Sequence, residues 1–91
     1  MNLNLMDMKV ECESIYDSFA EAMPYGVKSI KTKKVMEDFQ NYMNEKFSIF
    51  SVGEFEELSQ LYIKDKSFNS SLDEKKMGLG EFIGQAILYW F

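Results

Sequence analysis

The chain has 91 residues, of which 46% are hydrophobic and 27% charged, with a formal net charge of −5. This length suffices for one small domain, residues 1–91, with a single core. The eight Phe, five Tyr, one Trp and seven Met are incompatible with a disordered chain. Every cation is a lysine, so the side chain best suited to bidentate phosphate recognition is missing. We therefore do not expect this chain to bind nucleic acid directly.

The sequence lacks the residues on which most catalytic and metal sites depend. It has no histidine and a single cysteine, Cys12. The usual zinc and haem ligand sets cannot form, and neither can a Ser-His or Cys-His nucleophile pair. Neighbouring carboxylates such as Glu56 and Glu57 point in different directions on a helix. We expect no enzymatic activity, no metal and no cofactor.

Several features predict a cytoplasmic protein without a membrane span. Cys12 cannot form an internal disulfide, and the amino end lacks the pattern of a secretory signal. The longest apolar run, 82–91, contains Gly84 and Gln85 and is about half of the ~20 residues that a membrane-spanning helix needs.

Two apolar stripes predict the first two helices. The first ends near Met23, because Pro24 cannot continue a helix, and residues 1–4 precede its periodic pattern and are expected to fray. The second begins at Ser29. The first stripe comprises Met8, Cys12, Ile15, Phe19 and Met23; the second comprises Val35, Met36, Phe39, Tyr42, Met43, Phe47 and Phe50.

Four lysines, Lys28, Lys31, Lys33 and Lys34, cluster at the amino end of the second helix. The helix macrodipole disfavours cations there by a few tenths of a kcal/mol each. Two interpretations stay open: a solvated surface, or a contact with an acidic partner or a phosphate.

The third helix is predicted by a capping box, in which Ser51 and Glu54 satisfy each other's backbone amides. Phe50 and Phe55 flank this box at the positions of a hydrophobic staple. The helix should end near Ile63. Asp65 is then expected to cap a short helical turn that carries Phe68 and Leu72.

The last helix opens at Gly78 and has the clearest periodicity of the chain. Gly80 and Gly84 lie four residues apart, and each costs about 1 kcal/mol in a helix relative to Ala. The close approach of another helix, or of a ligand, would explain both. The stripe comprises Leu79, Phe82, Ile83, Ala86, Ile87 and Trp90, while Leu88, Tyr89 and Phe91 lie partly off it.

These elements predict an all-α domain of four principal helices and one short helix, without convincing strand alternation. The abundance of Met and aromatic residues has two explanations. They form the core, or some of them line an adaptable binding cleft.

One part of the chain also resembles a known family. From Leu58 to Ile87 the sequence reads L-x-x-L-Y-I-x-D-x-x-F, then x₃-L-D, then G-L-x-E-F-I-x-x-A-I. Earlier, F-A-x-x-M begins at Phe19 and D-F-x-x-Y-M-N-E-x-F begins at Asp38. These motifs resemble the sequence of the TipAS domain, the antibiotic-recognition module of certain MerR-type transcription regulators.

The resemblance implies a compact, globin-like helical domain whose cleft binds large apolar ligands, including macrocyclic thiopeptide antibiotics. The chain shows neither a helix-turn-helix domain nor a coiled coil ahead of it, so we expect a stand-alone or truncated module. We also expect the family's amino-terminal segment, which helps to close over the ligand, to be largely missing. The thiopeptide-trapping cysteine of the family would align near Phe50, so covalent capture is not expected.

We therefore predict a drug-sensing or sequestering domain linked to transcription regulation, with a non-covalent ligand cleft between the second, third and last helices. Core packing explains each candidate lining residue at least as well as ligand contact does. An alternative function is a protein–protein or homodimer contact through the apolar last helix. The candidate lining residues are Met36, Phe39, Tyr42, Met43, Phe50, Phe55, Tyr62 and Trp90.

Overall fold

The computed structural model describes residues 12–91, apart from the side chain of Phe68. These residues form five α-helices and no strand, which confirms the all-α class; the globin-like subtype stays a prediction. Met8 and residues 1–4, which figured in the sequence predictions, lie outside the described residues. The helices are α1 (Glu13–Ala22), α2 (Ile30–Phe47), α3 (Val52–Lys64), α4 (Lys66–Lys75) and α5 (Leu79–Trp90), and a 3₁₀ turn, Met23–Tyr25, follows α1.

The connection between α1 and α2 follows local sequence signals. Pro24 lies in the 3₁₀ turn that ends α1, and Gly26 has a positive φ of 89°. Ser29 caps α2, because its hydroxyl accepts a hydrogen bond from the Thr32 amide at 3.1 Å. The buried Thr32 hydroxyl donates to the Gly26 carbonyl at 2.7 Å. The predicted end of α1 and start of α2 are confirmed.

The end of α2 differs from the prediction. The helix stops at Phe47, and Ser48 adopts a left-handed conformation with φ of 55°. The chain then turns so that Ile49 is fully buried, whereas Phe50 is 66% exposed. Placing Phe50 on the helical stripe was therefore wrong, because the helix ends three residues before it.

The capping box of α3 is confirmed. The Glu54 amide donates to the Ser51 hydroxyl at 3.1 Å, and the Ser51 amide donates to the Glu54 carboxylate at 3.2 Å. The hydrophobic staple predicted between Phe50 and Phe55 does not form. Phe55 is buried and stacks on Phe91, with ring centroids 4.2 Å apart and planes at 11°, while Phe50 faces solvent.

The predicted short turn after Asp65 is a ten-residue helix, α4. Leu72 from this helix is buried, and the prediction for the Phe68 side chain lies outside what the structure describes. Just beyond the helix, the Lys76 ammonium donates to the Ala20 carbonyl at 3.0 Å. Lys75 forms an ion pair with Asp17, so the end of α4 is held against α1.

The core is centred on aromatic rings from several helices. Phe39 makes edge-on contacts with Phe19 of α1 and Tyr62 of α3, at centroid distances of 5.7 and 6.2 Å. Such contacts contribute about 0.5–1.5 kcal/mol each beyond their buried area. The buried apolar residues are Cys12, Tyr16, Phe19, Ala22, Val35, Met36, Phe39, Met43, Ile49, Phe55, Leu58, Tyr62, Leu72, Leu79, Ile83, Ala86 and Ile87.

The two glycines of α5 lie where that helix touches the backbone of α3. A Cβ atom on Gly84 would come within 2.9 Å of the Ser59 carbonyl oxygen and 2.4 Å of the Ile63 Cγ1 atom. On Gly80 it would lie 2.7 Å from the Asn69 Cβ atom. Close helix packing, one of the two explanations offered by the sequence, therefore accounts for both glycines. We call this contact the glycine seam.

Substitution of Gly84 by Ala tests the glycine seam. Because the Ser59 carbonyl belongs to the backbone, α5 must move away from α3, and we expect a loss of about 2 kcal/mol in the free energy of unfolding. The matched control is Gly53→Ala in the first turn of α3, where the nearest atom is 4.0 Å from the added methyl group. That substitution should stabilise the protein by up to about 1 kcal/mol. Equal effects in urea denaturation would contradict the close packing.

Candidate ligand-binding site

Three hollows surround the carboxyl end of α5. The Met36 hollow, of about 230 Å³, lies against α2 and is lined by Lys33, Met36, Glu37, Gln40, Trp90 and Phe91. The Val52 hollow, of about 120 Å³, lies against α3 and is lined by Val52, Glu56, Ile87, Leu88 and Phe91. The Val27 hollow, of about 410 Å³, faces the segment before α2 and is lined by Val27, Lys28, Gln85, Leu88 and Tyr89.

Trp90 lines the Met36 hollow and is held in a defined orientation. Its indole N–H donates to the Val27 carbonyl at 2.9 Å, which ties α5 to the segment before α2. The Tyr89 ring meets it edge-on, with centroids 4.8 Å apart and planes at 90°. Since this is the single tryptophan of the chain, its fluorescence reports on the surface directly.

Phe91 takes up the space between the Met36 and Val52 hollows. Its ring lines both of them and stacks on Phe55 of α3. The sequence predicted a cleft between α2, α3 and α5. In this structure, side chains of the protein itself occupy much of that space.

The predicted lining residues divide into three groups. Met36, Phe39, Met43, Phe55 and Tyr62 are buried in the core. Tyr42 is half-buried and packs near Phe47, at 6.0 Å between centroids, while Phe50 is exposed in the α2–α3 connection. Of the eight residues, Met36 and Trp90 meet at one hollow. The other core residues contact a ligand only if the core opens.

Sequence reasoning missed several residues of this surface, among them Val27, Lys28, Leu88 and Phe91. Two signals pointed towards them. Leu88 and Phe91 stood off the main apolar stripe, and Lys28 belonged to the unexplained lysine cluster. Nothing in the local sequence indicates that Val27 faces Trp90, because that contact joins distant parts of the chain.

Three of the four lysines at the amino end of α2 lie over aromatic rings. The Lys28 ammonium is 5.5 Å from the centroid of Tyr89, and the Lys33 ammonium is 5.8 Å from that of Trp90. Lys31 lies 4.8 Å from the centroid of Tyr25. At exposed sites such contacts contribute about 0.5–1 kcal/mol, enough to offset the unfavourable macrodipole.

A buried tyrosine pair lies deeper, between α1 and α3. The hydroxyl groups of Tyr16 and Tyr62 share a hydrogen bond of 2.8 Å, and the rings meet edge-on at 6.2 Å. Burial, above all, raises the pKa of both phenols well above the usual value, and for Tyr62 the neighbouring Tyr16 adds to this. Both groups stay neutral and serve as a polar link inside the core.

The tyrosine pair predicts a loss of stability in alkali. Above pH 10.0, the ordinary tyrosine pKa, the unfolded chain releases protons that the folded chain retains, so the free energy of unfolding falls as pH rises. The slope is at most about 1.4 kcal/mol per pH unit for each tyrosine. Tyr16→Phe should cost about 1 kcal/mol at neutral pH and make the alkaline slope shallower. Denaturation at several pH values between 8 and about 11 measures the cost and the slope. Identical slopes for the wild type and Tyr16→Phe would contradict the prediction.

Two other kinds of feature are absent from residues 12–91. No cluster of three or more His, Cys, Asp or Glu side chains is arranged to hold a metal ion there. No helix in that range combines the length and apolarity required to cross a bilayer.

Comparison with known proteins gives one finding. The family model of the TipAS antibiotic-recognition domain matches residues 3–90, nearly the whole chain. No curated protein and no solved structure has significant similarity to the chain.

Proposed function

This chain belongs to the TipAS antibiotic-recognition domain family, and from that premise we propose that it binds apolar or macrocyclic compounds, thiopeptides among them, without covalent attachment. Recognition of small molecules is the property of the family, and it is not catalysis. The chain would act in the cytoplasm as a drug-sensing or sequestering domain linked to a MerR-type transcription regulator.

The surface around Leu88 to Phe91 is our candidate for the ligand site. The observation that carries this choice is the set of three hollows, of about 120 to 410 Å³, that residues 85–91 of the chain help to line. A cavity of about 150 Å³ is enough for benzene, so the Met36 hollow has room for one ring and the Val27 hollow for two or three. A macrocycle would span several of them. Cys12 is buried and lines none of the three, which favours non-covalent binding.

The predicted core residues enter this proposal as a second, inner layer. If the Phe91 ring leaves Phe55, the Met36 and Val52 hollows join, and Phe55 becomes the floor of one larger cleft. Phe39, Met43 and Tyr62 lie behind that floor in the same core. A large ligand that displaces Phe91 would gain contact with Phe55 in exchange.

Titration with a thiopeptide and with smaller hydrophobic compounds tests the proposal. We expect Trp90 emission to change and the melting temperature to rise, since a ligand at tenfold its Kd stabilises the folded state by about 1.4 kcal/mol. Leu88 borders two hollows and is 42% exposed, so Leu88→Asn should weaken binding about fivefold through lost apolar contact.

The matched control is Met77→Asn. Met77 is 88% exposed and borders none of the three hollows, so its replacement should leave affinity unchanged. If no compound changes either Trp90 emission or the melting temperature, the proposed function is wrong. Equal losses in both variants would place the ligand elsewhere.

A second function is favoured by exposed apolar side chains next to α5. Leu88 and Tyr89 on α5, and Phe50 and Val52 before and within α3, are large and exposed. Clusters of this kind often mark contacts between proteins. A homodimer or a helical partner docked on α5 would cover them.

Light scattering distinguishes the two functions. If the surface serves association, the wild-type protein should run as a dimer at micromolar concentration, and Leu88→Asn should convert it into a monomer. Met77→Asn should stay dimeric. A monomeric wild type whose melting temperature rises with ligand would exclude association as the role of this surface.

A further inference from the structure

Charge is distributed unevenly around the candidate ligand site. The chain carries a formal charge of −5, yet Lys28 and Lys33 lie beside aromatic rings of α5, and Lys31 lies beside Tyr25 of the 3₁₀ turn. We propose that the Val27 hollow takes a flat aromatic compound that carries a negative charge, such as a carboxylate or sulfonate. This inference rests on the proposed function and specifies the chemical class of its ligand.

The lining of the Val27 hollow suits such a ligand. Val27 and Leu88 supply apolar surface, the Tyr89 ring supplies a face for stacking, and the Gln85 amide can donate a hydrogen bond. Lys28 is the one charged residue of this lining. By contrast, the lining of the Met36 hollow contains both Lys33 and Glu37, so its formal charges cancel.

Lys28 is available to an anion. Its ammonium lies over the Tyr89 ring at 5.5 Å, and among residues 12–91 no carboxylate lies within ion-pair distance of it. A ligand that stacks on Tyr89 therefore brings its anionic group to a cation already next to that ring. Lys28 also directly precedes Ser29, the N-cap of the 18-residue helix α2, whose dipole adds positive potential there.

The walls of this hollow are held in place by Trp90. The indole N–H binds the Val27 carbonyl at 2.9 Å, and the indole ring supports Tyr89 edge-on at 4.8 Å. The apolar wall and the stacking face are thus joined through one side chain. Preorganised walls reduce the entropy lost when a ligand binds.

Size and charge together favour a small molecule over a polymer. The hollow, of about 410 Å³, exceeds the roughly 150 Å³ that benzene requires and fits a compound of two or three rings. A nucleic-acid strand would also meet the net negative charge of the chain and would find no arginine. A cationic ligand would be repelled by Lys28 and its neighbours.

A pair of fluorescent probes separates charge from apolar contact. The anionic probe is 8-anilinonaphthalene-1-sulfonate, and the neutral probe is N-phenyl-1-naphthylamine, which has the same ring system without the sulfonate. We expect the anionic probe to bind the wild-type protein about fivefold more tightly, and to quench Trp90 emission. This preference should shrink in about 0.5 M salt, because ions screen an exposed charge.

Lys28→Glu should weaken binding of the anionic probe about tenfold and leave the neutral probe nearly unchanged. The control is Lys66→Glu, which makes the same change in net charge on α4, away from the three hollows. It should leave both affinities within about twofold of wild type. Thermal melting of both variants checks that the fold is intact.

Several results would overturn this inference. One is equal affinity of the two probes, which would be compatible with apolar binding and with the proposed function but not with a preference for anions. Another is an equal loss of affinity for the anionic probe in Lys28→Glu and Lys66→Glu, which would show that only the net charge of the chain matters. Tighter, Lys28-dependent binding of a fifteen-nucleotide oligothymidylate would point to a nucleic acid instead. Failure of both probes to bind would also overturn it, and the thiopeptide titration would then decide the proposed function separately.

Discussion

The architecture depends on how closely α5 lies against α3. Gly84 brings α5 onto the Ser59 carbonyl, and Gly80 brings it next to Asn69 and the Tyr62 carbonyl. Asn69 in turn donates its side-chain amide to that carbonyl at 2.8 Å, so a polar contact closes the same seam. Because helix packing is rigid, this approach also sets the position of the carboxyl end of α5. The stack of Phe91 on Phe55 follows from it.

Rigid core and accessible surface occupy different parts of the molecule. Around Phe39 and Tyr62 the aromatic rings are mutually packed, and the phenol hydroxyl groups are hydrogen-bonded. Around Leu88 and Trp90 the rings border open hollows and meet cations. A ligand-binding domain needs both, since the core provides stability while the surface keeps apolar side chains available for contact. The proposed site therefore lies where α5 leaves the core.

Local signals predicted most helix boundaries, and tertiary contacts account for the exceptions. Ser51 with Glu54, Pro24 and Gly78 act through hydrogen bonds or backbone conformation within a few residues, so their effects are readable in the sequence. The three serines and one asparagine of α4 give it a low intrinsic helix propensity, which favoured a shorter element. The helix is longer because Asn69 and the buried Leu72 attach it to the core. The early end of α2 likewise depends on the burial of Ile49.

The sequence by itself determined the all-α class, the family, the apolar stripes of the helices and the special role of Gly80 and Gly84. Each of these depends on composition, on sequence motifs or on the spacing of residues along one helix. Only the tertiary structure decided which aromatic and Met residues face outwards, because periodicity identifies the face of a helix but not what covers it. Phe39 and Trp90 both belong to apolar stripes, yet one is enclosed and the other borders a hollow. The partners of Lys28 were decided in the same way, by packing between distant parts of the chain.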